Sequence, residues 1–139
     1  MNKELQTKLY ERFPDLYRQH SLPMTQTAMC WGFDVDDGWF DLLWTLSLAL
    51  EDETKTSGTV IEAVQVKEKF GGLRFYVNCR RNEAIRQRIG IAADESFHTC
   101  EVCGKPGELR EARWIRTLCD EHNASGSRPI LNPMGSDRE

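Results

Sequence analysis

No run of apolar residues in this 139-residue chain is long enough to cross a bilayer. The longest, from about Trp39 to Leu50, is broken by Asp41, Thr45 and Ser47. The opening Met1-Asn2-Lys3-Glu4 has no apolar signal-peptide core, so the expectation is a cytoplasmic protein without membrane contact. An excess of positive charge is also missing. The 22 acidic residues outnumber the 18 Lys and Arg, for a net charge of -4, which excludes a strongly basic nucleic-acid clamp but not a local basic patch. Phosphate-cradling Gly loops and a Gly-x-Ser-x-Gly nucleophile elbow are absent. The cysteines number five, an odd count that suits a complete disulfide framework poorly. In a reducing compartment, clustered cysteines point instead to metal ligands.

What is present is a globular composition, 40% apolar and 29% charged, with Trp31, Trp39, Trp44 and Trp114 to be buried somewhere. Residues 3–20 read as one or two short helices interrupted at Pro14. Residues 28–33 read as a short strand. A helix is expected from Asp36 or Asp37, with an aspartate as cap, to about Glu51; its stripe is Trp39, Leu43, Leu46 and Leu50. Residues 51–58 read as a polar connection. A β-hairpin follows over residues 60–79, with Gly71-Gly72 as its turn. That register places Val64, Val66, Phe70, Leu73, Phe75 and Val77 on one face and Lys67, Lys69, Arg74 and Tyr76 on the other, with Glu68 a misfit on the apolar side. Asn82 caps a helix over residues 83–97, whose Ile85, Ile89, Ala92 and Ser96 share a face.

The most specific motif is Cys100-x2-Cys103-Gly104 and, fifteen positions on from Gly104, Cys119-x2-His122. Two residues between ligands let a tight turn aim both side chains at one ion, and Cys3His ligation suits tetrahedral zinc. The residues between should form a hairpin, Leu109-Arg110 against 114–118, with Cys119 and His122 on the first turn of a short helix. Four protein ligands leave no site for a metal-bound water, so the expected cofactor is structural Zn2+. His98 is the substitute ligand, ranked below His122, and Cys30 and Cys79 read as packing residues.

Catalytic readings fail on particular residues. Counted from Asp34, glycine falls fifth and Thr45 twelfth, so the acidic run is not an EF-hand loop. A treble-clef nuclease needs a histidine in its hairpin, and residues 104–118 contain none. Lys67, Lys69, Arg74 and Tyr76, with Arg110, Arg113 and Arg116 of the knuckle, form the candidate binding surface for a partner protein or for nucleic acid. Trp39 and Trp44 are a second candidate if exposed.

The runs MCWGF at 29–33, VKEKFGGLRFYV at 66–77, CEVCGKPG at 100–107 and WIRTLCDEH at 114–122 occur in a distinctive order. Together they resemble small proteins of unassigned function encoded by bacteriophages and prophages. The resemblance implies a phage context, the host bacterial cytoplasm and a zinc knuckle, and it implies no reaction. The fold expected is α+β: a small antiparallel sheet with packed helices and a C-terminal treble-clef or zinc-ribbon-like knuckle. Its parts are a core at 1–99, a knuckle at 100–122 packed on that core and a flexible tail at 123–139. The function expected is non-enzymatic: binding, with possible inhibition, of a bacterial host or defence protein. The alternative is nucleic-acid binding through the basic hairpin face, and a nucleotide-sequestering protein or small enzyme ranks third.

Overall fold

The computed structural model describes residues 1–79, 82–111, 114–123 and 128–129. Helix α1 (Lys3–Arg12) starts where the Asn2 side chain accepts the Leu5 N–H, with Glu4 in its first turn and Arg12 in its last. It stops ahead of Pro14, whose ring disfavours helical backbone at Phe13. Leu9, Phe13, Leu16 and Tyr17 from this region are buried. A short 3-10 turn (Arg18–Ser21) follows.

Residues 28–33 do not form the expected strand. Met29–Trp31 is a 3-10 turn, closed by Gly32 N–H donating to the Met29 carbonyl, and only Phe33–Asp34 is extended (β1). The Gln6 side chain accepts the Phe33 N–H, which folds this segment back onto α1. The expected aspartate cap is also corrected. Asp36 and Asp37 make no cap bond; the Asp37 carboxylate instead receives both N–H groups offered by Asn2, and that of Asp36 receives Arg116.

Helix α2 (Phe40–Ser57) runs past Glu51, through residues expected to be a connection. Charge pairing explains the extension: Arg12 holds Glu51 with two hydrogen bonds, Lys55 stands one turn from Glu51, and Arg88 holds Glu53. The helix ends at Gly58, whose N–H donates to Thr54. Its inner face carries Leu42, Leu43, Leu46, Ser47 and Leu50. Helix α3 (Glu83–Ser96) starts at Asn82, whose side chain accepts the Ile85 N–H, and buries Ile85, Ala92 and Ser96.

The fold is α+β, with two small sheets. In the first, β2 (Ala63–Lys69) and β3 (Gly72–Val77) form the antiparallel hairpin, and β1 adds in parallel to β2. The hairpin turn sits one residue earlier than expected, which shifts each cross-strand pair by two: Leu73 pairs with Glu68 rather than Phe70, and Arg74 with Lys67 rather than Lys69. Lys69 pairs with Gly72, so the turn is Phe70-Gly71. Gly72 is paired in the strand, and its lack of a side chain lets it lie against the Phe97 ring, which a Cβ there would approach to 2.3 Å. Phe70 therefore leaves the apolar face and is 63% exposed. Val64 sits at a bulge and is half-buried. Ala63, Val66, Leu73 and Phe75 face the core. Glu68 is no misfit in the actual register, since its carboxylate accepts the Gly71 N–H and so closes the turn.

The four tryptophans divide. Trp39 is fully buried, and Trp44 is half-buried against Phe13 and Phe40. Trp31 and Trp114 are 68% and 71% exposed, against the expectation of burial; Trp31 lies on a turn whose buried member is Met29. In the second sheet, β4 (Glu108–Glu111) pairs antiparallel with β5 (Arg116–Leu118), and β6 (Arg128–Pro129) adds on the other side of β4. The expected flexible tail thus contains a paired dipeptide, while residues 124–127 and 130–139 lie outside the described residues.

Candidate metal centre

Cys100 and Cys103 flank a tight turn closed by Gly104 N–H donating to the Cys100 carbonyl at 2.9 Å. The turn is anchored on the second sheet, because Glu101 N–H donates to the Thr117 carbonyl of β5 at 3.0 Å. Cys119 follows β5 directly, and the next turn brings His122 back, its N–H donating to the Cys119 carbonyl. Residues 120–122 form a turn rather than the first turn of a helix.

The four side chains converge. Their donor atoms all lie within 4.8 Å of one another. Cys103 Sγ and Cys119 Sγ are 3.7 Å apart, and His122 Nδ1 is 3.2 Å from Cys119 Sγ and 3.7 Å from Cys100 Sγ. Thiolates on one tetrahedral ion, with bonds of about 2.3 Å, stand about 3.8 Å apart. A disulfide needs about 2.0 Å between sulfurs. The cysteines are free thiols at metal-ligand spacing, and Nδ1 is the imidazole atom aimed inward. Together they are a potential metal site.

Electrostatics favour deprotonation at one corner. Burial of Cys100 works against its thiolate, but the backbone N–H groups around it, of Cys119, Cys103 and Val102, outweigh burial and bring it down to about 7. At Cys103 the Lys105 N–H favours the thiolate, while desolvation and the adjacent Cys100 and Cys119 sulfurs hold the thiol above its ordinary value. His98, the substitute ligand, is exposed and stands outside the cluster. Cys79 packs beside the core, and Cys30 is half-buried.

The knuckle is bonded to the core by residues given other roles, or none, by the sequence. Gly38 N–H donates to the Glu101 carbonyl, Trp39 Nε1–H donates to the Thr99 carbonyl, and Asp36 N–H donates to the buried Glu101 carboxylate. Burial holds that carboxyl above its ordinary range, and the Asp36 charge adds to the effect, against the Asp36 N–H and Arg116. Only an acid placed between two metal ligands could have hinted at this role.

The candidate binding residues fall into two sets. Lys67, Lys69, Arg74 and Tyr76 share the outward face of the hairpin, with Lys67 opposite Arg74 and Tyr76 opposite Gln65. Asp34 of β1 is paired with Lys67 on the same row. Arg110 is buried; its Nε–H donates to the Leu118 carbonyl and its Nη2–H to Asp120. Arg116 bridges Asp36 at 2.6 Å and Glu101 at 3.5 Å. Arg113 lies outside the described residues.

No protein-family model, curated protein or solved structure matches the chain. Among the described residues, no helix is long and apolar enough to cross a membrane.

Proposed function

We propose that this chain is a zinc-stapled, non-enzymatic binding protein of a phage or prophage, acting on a bacterial host or defence protein in the cytoplasm. Three thiolates and an imidazole at tetrahedral spacing suit zinc over calcium or magnesium, and all four positions are filled by protein atoms. Such a closed set staples structure rather than activating water.

The observation that carries the binding reading is the outward hairpin face. Tyr76 is 45% exposed there, Phe70 stands uncovered at its end, and Lys67, Lys69 and Arg74 lie between them. Aromatic side chains and arginine are the residues most enriched at protein interfaces, which supports Phe70, Tyr76 and Arg74 as contacts, with Lys67 and Lys69 supplying charge around them. The same face supports the nucleic-acid reading less well. Asp34 interrupts the basic row, and Arg110 and Arg116 are engaged in internal ion pairs. The resemblance to phage and prophage proteins supports the choice of a bacterial partner.

The test is retention by tagged protein from bacterial lysate, with and without nuclease. The reading expects one protein kept after nuclease digestion and lost with Tyr76→Ala or Arg74→Glu. Retention that disappears with nuclease transfers the face to nucleic acid.

A further inference from the structure

The tip of the β2–β3 hairpin breaks a local rule. Phe70 has a φ of +54°, in the left-handed region, and no other described non-glycine residue does. That region costs a bulky side chain, and two-residue hairpin turns prefer Asn, Asp or Gly there. The side chain gains little burial in return: the ring is 63% exposed, with the Lys69 ammonium 5.6 Å from its centroid. A strained residue that neither buries itself nor relieves its backbone is a signal of function.

The support beneath the ring is rigid. Glu68 accepts the Gly71 N–H at 2.7 Å, and Thr117 Oγ1–H donates to the Gly71 carbonyl at 2.7 Å. A Cβ at Gly71 would stand 2.3 Å from the Leu109 side chain, so the hairpin tip rests directly on the second sheet. The β5 strand that supplies Thr117 runs into the metal ligand Cys119. The knuckle thus buttresses the turn that holds the ring out, and a pre-organised aromatic loses little freedom on binding.

We infer that Phe70 is an anchor that inserts into an apolar pocket on a protein partner, and that the pocket's rim is acidic to match Lys67, Lys69 and Arg74. This rests on the protein-binding reading above and names the contact it uses. A nucleobase is the poorer occupant. Tyr76 lies four residues beyond Gly72, roughly 13 Å along the strand, so the two rings do not make one stacking platform.

The experiment uses the full, metal-loaded chain and the bacterial protein it retains from nuclease-treated lysate, purified as the binding probe. Phe70→Gly should keep or raise the urea midpoint, since it removes the strain, and weaken binding at least tenfold; Phe70→Trp should restore most of it. Lys69→Glu should weaken binding further at low salt than at high salt. A benzophenone side chain at position 70 should crosslink to a partner segment bearing Asp or Glu. A lower urea midpoint for Phe70→Gly makes the ring structural and overturns the inference, as does a crosslink to a Lys- and Arg-rich segment. Unchanged affinity in Phe70→Gly, with Tyr76→Ala or Arg74→Glu still disruptive, overturns the anchor and leaves the binding reading standing. If the wild-type chain retains no protein, the two fall together.

Discussion

The backbone N–H of Gly38 donates to the carbonyl oxygen of Glu101 at 2.6 Å. This bond joins the start of α2 to the turn between two metal ligands, and it needs close backbone approach. A Cβ at Gly38 would stand 2.3 Å from the Cys100 carbonyl and 2.4 Å from that of Glu101. Both neighbours are backbone and cannot swing aside. Gly38→Ala should therefore lift the knuckle off the core, costing about 1–3 kcal/mol. Thermal unfolding and a metal-competition titration should both register the loss. Gly90→Ala is the control: apart from its immediate neighbours and its own helix backbone, a Cβ there would meet nothing within 4 Å among the described residues, and it sits in the middle of α3, so it should stabilise by roughly 0.5–1 kcal/mol. Equal behaviour of the two variants would contradict the docking argument.

Metal loss should reach the core by the same route. Trp39 is fully buried, and its Nε1–H is held by the Thr99 carbonyl beside Cys100. Elemental analysis should find one zinc per chain, and Cys103→Ser should abolish it. Chelation should change the near-ultraviolet circular dichroism of Trp39 together with metal release. A folded chain that is free of metal and keeps the wild-type signal would rule out a stapling role.

The parts of this fold that were legible in the sequence are local. Asn82 caps a helix through a bond three residues long, and the ligand pairs 100/103 and 119/122 are each set by one turn. The hairpin was legible, but not the one-residue shift of its turn: the pairing places Gly72 in β3, against the Phe97 ring 25 positions away, which no local pattern encodes. Asp36 illustrates the same limit. Beside a helix start it reads as a cap, yet its carboxylate goes to Arg116, eighty residues away. The extension of α2 past Glu51 likewise depended on Arg12 and Arg88, supplied by other helices. Where a residue's partner is distant, propensity gives way to tertiary contact.

The buried Tyr17–Ser47 pair predicts an asymmetry between two deletions. Ser47 donates to the Leu43 carbonyl at 2.7 Å, so the 2.6 Å contact between the two hydroxyls has Tyr17 as donor. Burial pushes the Tyr17 hydroxyl well above its ordinary pKa, against the Ser47 bond, so it stays a neutral donor. Tyr17→Phe leaves Ser47 bonded to Leu43 and should cost about 0.5–1.5 kcal/mol. Ser47→Ala strands a buried O–H and should cost more, about 1–3 kcal/mol. Urea unfolding of both variants decides the order, and the double variant should cost less than the sum.

Arg18 donates to Glu62 from Nε at 2.6 Å and from Nη2 at 3.0 Å, and Gln19 adds a third bond at 2.9 Å. The Arg18 bonds first, then that of Gln19, hold the Glu62 carboxyl below its ordinary 4.5. A carboxyl depressed in the folded state contributes stability that is fully present above 4.5 and is lost as pH falls through the folded value. Glu51 is depressed in the same direction by Arg12. Solvent and salt screen both arginines, so the effect should be small and should shrink at high ionic strength. The comparison is wild type against Glu62→Gln at saturating metal, so that acid effects on the metal centre are shared. The stability gap between the two should be widest near neutral pH and close as pH drops below 4.5. A gap that stays constant across that range would mean the Arg18 pair contributes nothing to folding.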